Sequence, residues 1–391
     1  MKSIGYTSNS YPEKRTIIEG NLHPLKKLKS LNTYFPQTVV KRIPILGGNI
    51  DTFFKEIIFN ANGVEGLHLF NSVTSKNIPW ISTFETYIPR TTATAFLENE
   101  VTDSKLEKSK DKIEKHLKLI ANENCKKIIS LSKENLKMEQ YLLEQFPKYK
   151  ADIEKKMIQL NPPQVKLMER KEVEEKRINS ILKFLFVGKD FIRKGGREIV
   201  DVFFKIKEET SFDFDLTIVS LGKVSNYAFG KYQDTEEEME EIKRKMDSTE
   251  WINFYESVEN KKLLKMMKTS DIGLLPTWAD TYGFSVLEFQ ASGCPVITTN
   301  VRALPEINNQ NVGWMIDLPI DYFGKINIDS NEKKKELRRD LQEALKLTII
   351  DILENTDQIK EKSLRSYDQV TENHSVENYM QKLSEIYSDS F

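Results

Sequence analysis

Three cationic side chains lie within one short loop of the sequence. Lys189, Arg193 and Lys194 follow Gly188, which ends an apolar run, and they precede Gly195-Gly196, which open a helical pattern. Basic groups beside a glycine-rich helix N-terminus suit an anion, above all a phosphate. The spacing differs from that of the P-loop, and the chain has no G-x-G-x-x-G. The loop is a candidate phosphate site, and a solvated basic turn is the alternative interpretation.

Two carboxylates frame a second candidate site in "DTYGFSVLEFQASGCPVIT", which runs from Asp280 to Thr298. A helix is predicted to begin near Gly283, and the first N–H groups of a helix have no partner inside it. Those donors favour an anion. Glu288, about one turn further in, could accept paired hydroxyls of a ribose or hexose, and Asp280 offers another hydroxyl acceptor. The alternatives are a helix acid stabilised by the dipole for Glu288 and a turn former for Asp280.

Short apolar runs alternate with helical patterns along the chain, which predicts βαβ units and a parallel sheet. The predicted strands cover residues 39–46, 66–73, 78–85, 126–132, 157–160, 181–188, 213–221, 251–257, 271–277 and 295–300. Parallel sheets of this kind bind ligands outside the carboxyl ends of their strands. The loops after Val187, Tyr255, Leu275 and Thr299 should therefore face one shared site.

The length of 391 residues suits two domains. Asn161-Pro162-Pro163 and the charged run after it indicate a connection between them. We predict an α/β protein with two Rossmann-like domains facing across a cleft. The expected parts are an N-terminal domain over 1–165, a linker over 166–180, a second domain over 181–372, and a C-terminal helix over 373–391 that crosses back to the first domain.

The composition excludes several classes of function. The chain has 58 Lys and Arg against 59 Asp and Glu, so no global field favours nucleic acid. Its two cysteines, Cys125 and Cys294, are far apart and match no metal spacing, which indicates a reducing compartment. The sequence shows neither the apolar core of a signal peptide nor the roughly 20 apolar residues of a membrane span. A soluble, cytoplasmic protein is expected.

From Lys183 to Ile307 the sequence resembles the donor-binding domain of glycosyltransferase family 4, whose members are retaining enzymes with the GT-B fold. That family carries a G-[RK] turn with a nearby K-G, and a signature close to E-x-F-G-x-x-x-L-E-A-x-A-x-G-x-P-V. The matching residues here are Gly188-Lys189, Lys194-Gly195, Asp280, Gly283, Leu287-Glu288, Ala291, Gly293, Pro295-Val296 and the "LPEI" of 304–307. The N-terminal half of the chain resembles the family only weakly.

The resemblance implies a role for each matching residue of the second domain. Lys189 and Lys194 would neutralise the diphosphate of a nucleotide-sugar, with Arg193 as a helper, and Glu288 would hold the ribose hydroxyls. Asp280 would touch the donor sugar. The remaining implied contacts are with the sugar and phosphate for Tyr282, Gly283, Phe284, Ser285 and Val286, and with the base for Ser257 and Val258.

Two residues of this domain depart from the family pattern. Asp280 stands where the family has Glu, and its shorter reach could change sugar selectivity. Lys189 stands where Arg is usual, and it provides a point charge in place of a fork.

In the N-terminal half, Glu85 in "STFETYIPR" takes the place of a family histidine. Its carboxylate could bind an acceptor hydroxyl or stabilise positive charge on the sugar; a structural pair with Arg90 is the alternative. Gly47-Gly48 match the family's acceptor-side glycine loop, with a plain turn as the alternative. The "FDFD" of 212–215 could hold a divalent ion, although a turn at the entry to a strand is favoured.

The resemblance implies transfer of a sugar, with retention, from a UDP- or GDP-sugar to an acceptor hydroxyl, without a metal or other cofactor. The expected setting is assembly of a bacterial-type cell-surface polysaccharide or glycan, with a glycan, lipid-linked or protein acceptor. A non-catalytic nucleotide-sugar-binding subunit and a GT-B epimerase stay open. The lysines of "HPLKKLKSL" and of 105–118 suit either an anionic inner membrane face or a solvated surface.

Overall fold

The structure is a computed structural model that describes residues 3–7, 10–19, 24–28, 53–54, 63–90, 103–222, 232 and 234–391. The chain divides into two compact units. The first comprises Met1–Pro163 and Val376–Phe391, and the second comprises Gln164–Ser375. The predicted strand at 39–46 and Gly47-Gly48 lie outside the described residues.

The first unit is built on a six-stranded parallel sheet. Its elements in chain order are β1 (Ile4–Tyr6), α1 (Tyr11–Thr16), β2 (Leu25–Lys27), β3 (Phe53–Phe54), β4 (Gly66–Phe70), β5 (Val73–Thr74), β6 (Trp80–Phe84), α2 (Asp103–Ala121), β7 (Cys125–Ser130), α3 (Lys133–Glu144), α4 (Pro147–Glu154) and β8 (Met157–Gln159). The strand order is β2-β1-β4-β6-β7-β8, and β3 pairs with β5 in a separate small sheet. Ser132 caps the N-terminus of α3, since its side chain accepts a hydrogen bond from the Asn135 amide at 3.0 Å.

The second unit contains another six-stranded parallel sheet. Its elements are α5 (Arg170–Glu175), β9 (Leu182–Val187), α6 (Gly196–Glu209), β10 (Phe214–Val219), α7 (Glu236–Asp247), β11 (Ile252–Tyr255), α8 (Asn260–Thr269), β12 (Ile272–Leu275), α9 (Phe284–Ala291), β13 (Val296–Thr299), α10 (Leu304–Ile307), β14 (Trp314–Ile316), α11 (Asn331–Glu354) and α12 (Asp357–Asn373). The strand order is β11-β10-β9-β12-β13-β14. The order reverses between β9 and β12, and such a switch point opens a crevice at the carboxyl ends of the strands.

The segment 166–180, predicted as a linker, is instead part of the second unit. Val173 of α5 is fully buried and packs against Gly293. The Lys176 ammonium donates to the carbonyl oxygens of Ser270 at 2.7 Å and Gly293 at 3.0 Å. The charged composition of this segment suggested a linker. Val173 and Lys176 nevertheless attach it to the second unit, by apolar packing and by hydrogen bonds to backbone carbonyl oxygens.

The last helix, α13 (Val376–Ser390), belongs to the first unit. Its Tyr379 and Tyr387 pack in the same hydrophobic cluster as Ile4, Ile81 and Ile129 of the sheet. The Tyr379 hydroxyl donates to the Thr16 carbonyl oxygen at 2.6 Å. The predicted helix at 373–391 therefore begins three residues later than expected and completes the core of the N-terminal unit.

Candidate nucleotide-binding site

The loop after β9 is a tight turn that fixes the direction of Lys194. The Lys194 amide donates to the Asp190 carbonyl oxygen at 3.1 Å, and the Gly195 amide donates to that of Ile192 at 3.1 Å. Phe191 and Ile192 are buried beneath the turn. An apolar anchor thus holds the middle of a loop whose other side chains are charged.

Gly195 permits this loop to approach the loop after β12. Its φ is +84°, and an added Cβ would lie 2.1 Å from the Pro276 carbonyl oxygen. No L side chain fits that position without moving backbone. The two candidate segments found in the sequence therefore meet through main-chain contact.

Arg193 joins the same two loops through its backbone and its guanidinium. The Trp278 amide donates to the Arg193 carbonyl oxygen at 2.9 Å. The Arg193 Nη1 donates to the Ala279 carbonyl oxygen at 2.8 Å, and Nε pairs with Asp190 Oδ2 at 3.0 Å. This anchoring was missed in the sequence, where Arg193 was expected to help bind a diphosphate; that contact stays a prediction.

Lys194 and Asp280 form an ion pair across the two loops, and each side chain is 12% exposed. Burial by itself raises the pKa of Asp280. The charge of Lys194, its hydrogen bond and the charge of Arg193 outweigh burial and hold the pKa below the usual range for aspartate. The predicted phosphate-binding cation and the predicted sugar-binding acid are thus brought together, 86 residues apart in sequence.

The helix α9 begins where predicted, directly after Gly283. Gly283 has a φ of +92°, and an added Cβ would lie 2.5 Å from Leu304 Cδ2. Glu288 lies partly buried on the second turn of the helix. It is four residues beyond Phe284, so both side chains lie on one face. Asp280 and the N-terminus of α9 follow β12, and Lys194 follows β9, so these groups lie at the two strands that form the switch point of the sheet.

The remaining residues predicted in this domain follow the same edge. Lys189 is exposed, directly after Gly188. Tyr282 is buried and contacts the ring of Phe284, with 5.4 Å between ring centroids. Ser257 and Val258 follow β11, which lies two strands from β9. Two strand spacings amount to about 10 Å, and contact of Ser257 and Val258 with a base stays a prediction.

In the first unit, Glu85 lies in a bonded cluster at the carboxyl ends of β4 and β6. Its Oε1 accepts from Arg90 Nη1 at 2.6 Å and from Asn71 Nδ2 at 3.2 Å. Asn71 has a φ of +51°, and its Oδ1 accepts from the Glu85 amide at 3.1 Å. The pair with Arg90 was the alternative interpretation of the sequence. Asn71 was missed there, although a polar residue directly after a buried strand is the signal that could have found it.

The other polar features have structural partners. Asp213 of the "FDFD" segment accepts from Lys207 Nζ at 2.5 Å and from the Phe214 amide at 3.2 Å, as in a turn at the entry to a strand. Within the described ranges, no group of three or more His, Cys, Asp or Glu side chains could hold a metal ion. No helix among the described residues is both long and apolar enough to cross a bilayer.

Comparisons with known proteins match part of the second unit to a family. The family model described as "Glycosyl transferases group 1" matches residues 169–348. An uncharacterized 41.2 kDa protein in the cps region of Klebsiella pneumoniae is 28% identical over 152 residues, which span 39% of this chain and 36% of that protein. The match therefore covers little more than a third of the curated relative.

Two solved structures share the fold over nearly the whole chain. Sucrose-phosphate synthase from Thermosynechococcus elongatus has a TM-score of 0.58 at 14% identity, with 98% of this chain and 88% of that chain covered. HepE from Anabaena, in complex with UDP and glucose, has a TM-score of 0.56 at 11% identity, with 99% and 100% covered. The two units have the Rossmann-like sheets of the GT-B fold, and residues 169–348 of the second unit match the family model of glycosyl transferases group 1.

Proposed function

We propose that this chain is a retaining glycosyltransferase of family 4 that moves a sugar from a nucleoside diphosphate to an acceptor hydroxyl. One observation carries the proposal. Lys194, Asp280 and the N-terminus of α9 meet at the switch point of a glycosyl transferases group 1 sheet. A cation and a helix N-terminus suit a diphosphate, and carboxylates suit the hydroxyls of the sugar and the ribose.

In the proposed reaction, the bond between the anomeric carbon and the phosphate oxygen breaks, and a bond from that carbon to the acceptor oxygen forms. The acceptor attacks from the face that the diphosphate leaves, so the configuration is kept. The acceptor proton passes to an oxygen of the departing phosphate. Lys189, Lys194 and the amides of α9 stabilise the charge that develops there, and this electrostatic stabilisation takes the place of a metal ion.

The donor and acceptor classes follow from charge and from the relatives. UDP in the HepE structure supports a uridine nucleotide, with a GDP-sugar as the second choice. The cps region of the Klebsiella relative supports polysaccharide assembly with a glycan, lipid-linked or protein acceptor. Lys27 is exposed, in accord with a peripheral contact at the inner face of the membrane. The Glu85–Arg90 pair favours a second candidate, a nucleotide-sugar-binding subunit without activity.

The experiment is a panel of UDP-, GDP- and ADP-sugars tested for protection against thermal unfolding. A ligand at a hundred times its dissociation constant should add about 2.7 kcal/mol to stability. The donor that protects is then incubated with acceptor glycans, and release of nucleoside diphosphate is measured. Lys194→Ala and Glu288→Gln should abolish protection and release. Lys171→Ala, whose side chain is 81% exposed, is the matched control and should change neither.

Protection with neither sugar transfer nor slow donor hydrolysis would support the binding subunit. Absence of protection by every sugar nucleotide would contradict both candidates. Full activity in Lys194→Ala would refute the assignment of the diphosphate site.

A further inference from the structure

The cation best placed for a diphosphate already has an anionic partner. The Lys194 ammonium is bound to the Asp280 carboxylate, and both side chains are nearly buried. The stem of Lys194 packs against Gly188, where an added Cβ would lie 2.9 Å from Lys194 Cγ. Tight packing and pairing leave the ammonium little freedom to swing away from Asp280.

A phosphate that reaches Lys194 must therefore approach Asp280 as well. A phosphate oxygen in hydrogen-bond contact with the ammonium comes within about 6 Å of the carboxylate that contacts the same nitrogen. Like charges at that separation repel strongly in a partly buried site, because solvent screens them less than it does at an open surface. The second cation of the turn, Arg193, also stabilises the Asp280 carboxylate, but its guanidinium is already paired with Asp190.

The repulsion depends on the charge of the phosphate next to Asp280. In a bare nucleoside diphosphate the terminal phosphate carries close to two charges at neutral pH. In a sugar ester the same phosphate carries one negative charge. The sugar also brings hydroxyl groups that can donate hydrogen bonds to a carboxylate. Asp280 thus repels the bare nucleoside diphosphate and accepts a hydrogen bond from the sugar nucleotide.

We propose that Asp280, through its pairing with Lys194, makes this site select the sugar-bearing nucleotide over the bare nucleoside diphosphate. This inference rests on the proposed function and adds a specificity-determining role to a residue of that site. The site thereby favours loading of the donor and speeds departure of the product. Aspartate suits this role because its short side chain keeps the carboxylate at the ammonium while the neighbouring phosphate binds.

The test measures binding by isothermal titration for three matched pairs: UDP with UDP-glucose, GDP with GDP-mannose, and ADP with ADP-glucose. For the pair that binds the wild type, Asp280→Asn should tighten the bare diphosphate about tenfold, equivalent to about 1.4 kcal/mol. The affinity for the sugar nucleotide should stay unchanged or fall. The asparagine side chain removes the repulsion of the phosphate, but it also weakens the hydrogen bond from the sugar hydroxyl. Asp213→Asn removes an equal charge at the entry to β10 and should leave both affinities unchanged.

A second measurement uses only the wild-type protein, so the inference can be tested even if Asp280→Asn does not fold. The β-methyl ester of the bare diphosphate has the lower charge of the donor but lacks the sugar hydroxyls. It should bind more tightly than the bare diphosphate and more weakly than the sugar nucleotide. An unchanged affinity ratio in Asp280→Asn, or a methyl ester no tighter than the bare diphosphate, would overturn the inference. Failure of the wild type to bind any member of the three pairs would instead refute the proposed function.

Discussion

A buried carboxyl group in the first unit makes its stability depend on pH. Glu139 of α3 is fully buried; its Oε2 accepts from the Ile88 amide at 2.9 Å, and its Oε1 has no hydrogen-bond partner among the described residues. Burial raises the pKa of Glu139 from 4.5 to about 8, with the Ile88 amide opposing the rise. The folded protein therefore holds this proton more tightly than the unfolded chain does.

The magnitude and its sign follow from linkage. The group contributes fully to stability below its unfolded pKa of 4.5, and this contribution is lost as pH rises towards about 8. At about 1.36 kcal/mol per pH unit, the loss reaches about 3 kcal/mol by pH 7 and about 4 kcal/mol by pH 8, and it levels off near 5 kcal/mol above that pH. Glu139→Gln keeps an acceptor for the Ile88 amide and cannot ionise. It should therefore match the wild type near pH 5 and exceed it above pH 7.

The assay is amide hydrogen exchange of peptides covering α3, measured across this pH window and corrected for intrinsic exchange. It reports opening of the first unit separately from the second. Glu144→Gln on the same helix, whose side chain is 58% exposed, is the control and should keep the pH dependence of the wild type. Parallel pH profiles for the wild type and Glu139→Gln would refute the reasoning.

Three further substitutions test the local arguments. Gly195→Ala should lower nucleotide affinity more than about tenfold, because its Cβ would displace the loop at Pro276; titration at wild-type affinity would contradict this. Asp234→Asn should destabilise the second unit by about 3–5 kcal/mol in urea unfolding, since it leaves the buried cations Lys334 and Arg338 without a full counter-charge; a loss under about 1 kcal/mol would count against that explanation. Asn71→Ala should be about 1 kcal/mol less stable than Asn71→Gly, because only glycine accepts the positive φ without strain; equal midpoints would show that the backbone there relaxes.

The alternation of strands and helices was predictable because the strands of a parallel sheet are buried on both faces. They appear as continuous apolar runs, so the predicted strands at 181–188 and 271–277 became Leu182–Val187 and Ile272–Leu275. Strands of three residues give a weaker signal. Met157–Gln159 was predicted from the apolar run at 157–160, but Ile4–Tyr6, in the interior of the first sheet, and Trp314–Ile316, at an edge of the second, were missed.

The candidate site was predictable in composition but not in pairing. Glycine positions marked both loops, since only glycine fits at Gly195 and Gly283. The partners could not be predicted, because Lys194 and Asp280 meet through a fold that no local pattern specifies. Arg193 shows the same limit: its guanidinium binds Asp190 beside it and the Ala279 carbonyl oxygen 86 residues away.

These pairings change how the charge of the site should be understood. The sequence suggests three cations that could bind a diphosphate. Two of them are already in ion pairs within residues 188–195 and 276–288: Arg193 with Asp190, and Lys194 with Asp280. Lys189 is the exposed cation of the loop. Much of the attraction for a diphosphate should then come from Lys189 and from the backbone N–H groups at the N-terminus of α9. These N–H groups carry partial positive charge and belong to no ion pair. On the proposed function, we expect a site organised in this way to bind sugar nucleotides better than bare nucleoside diphosphates, and titration of the matched pairs checks that expectation.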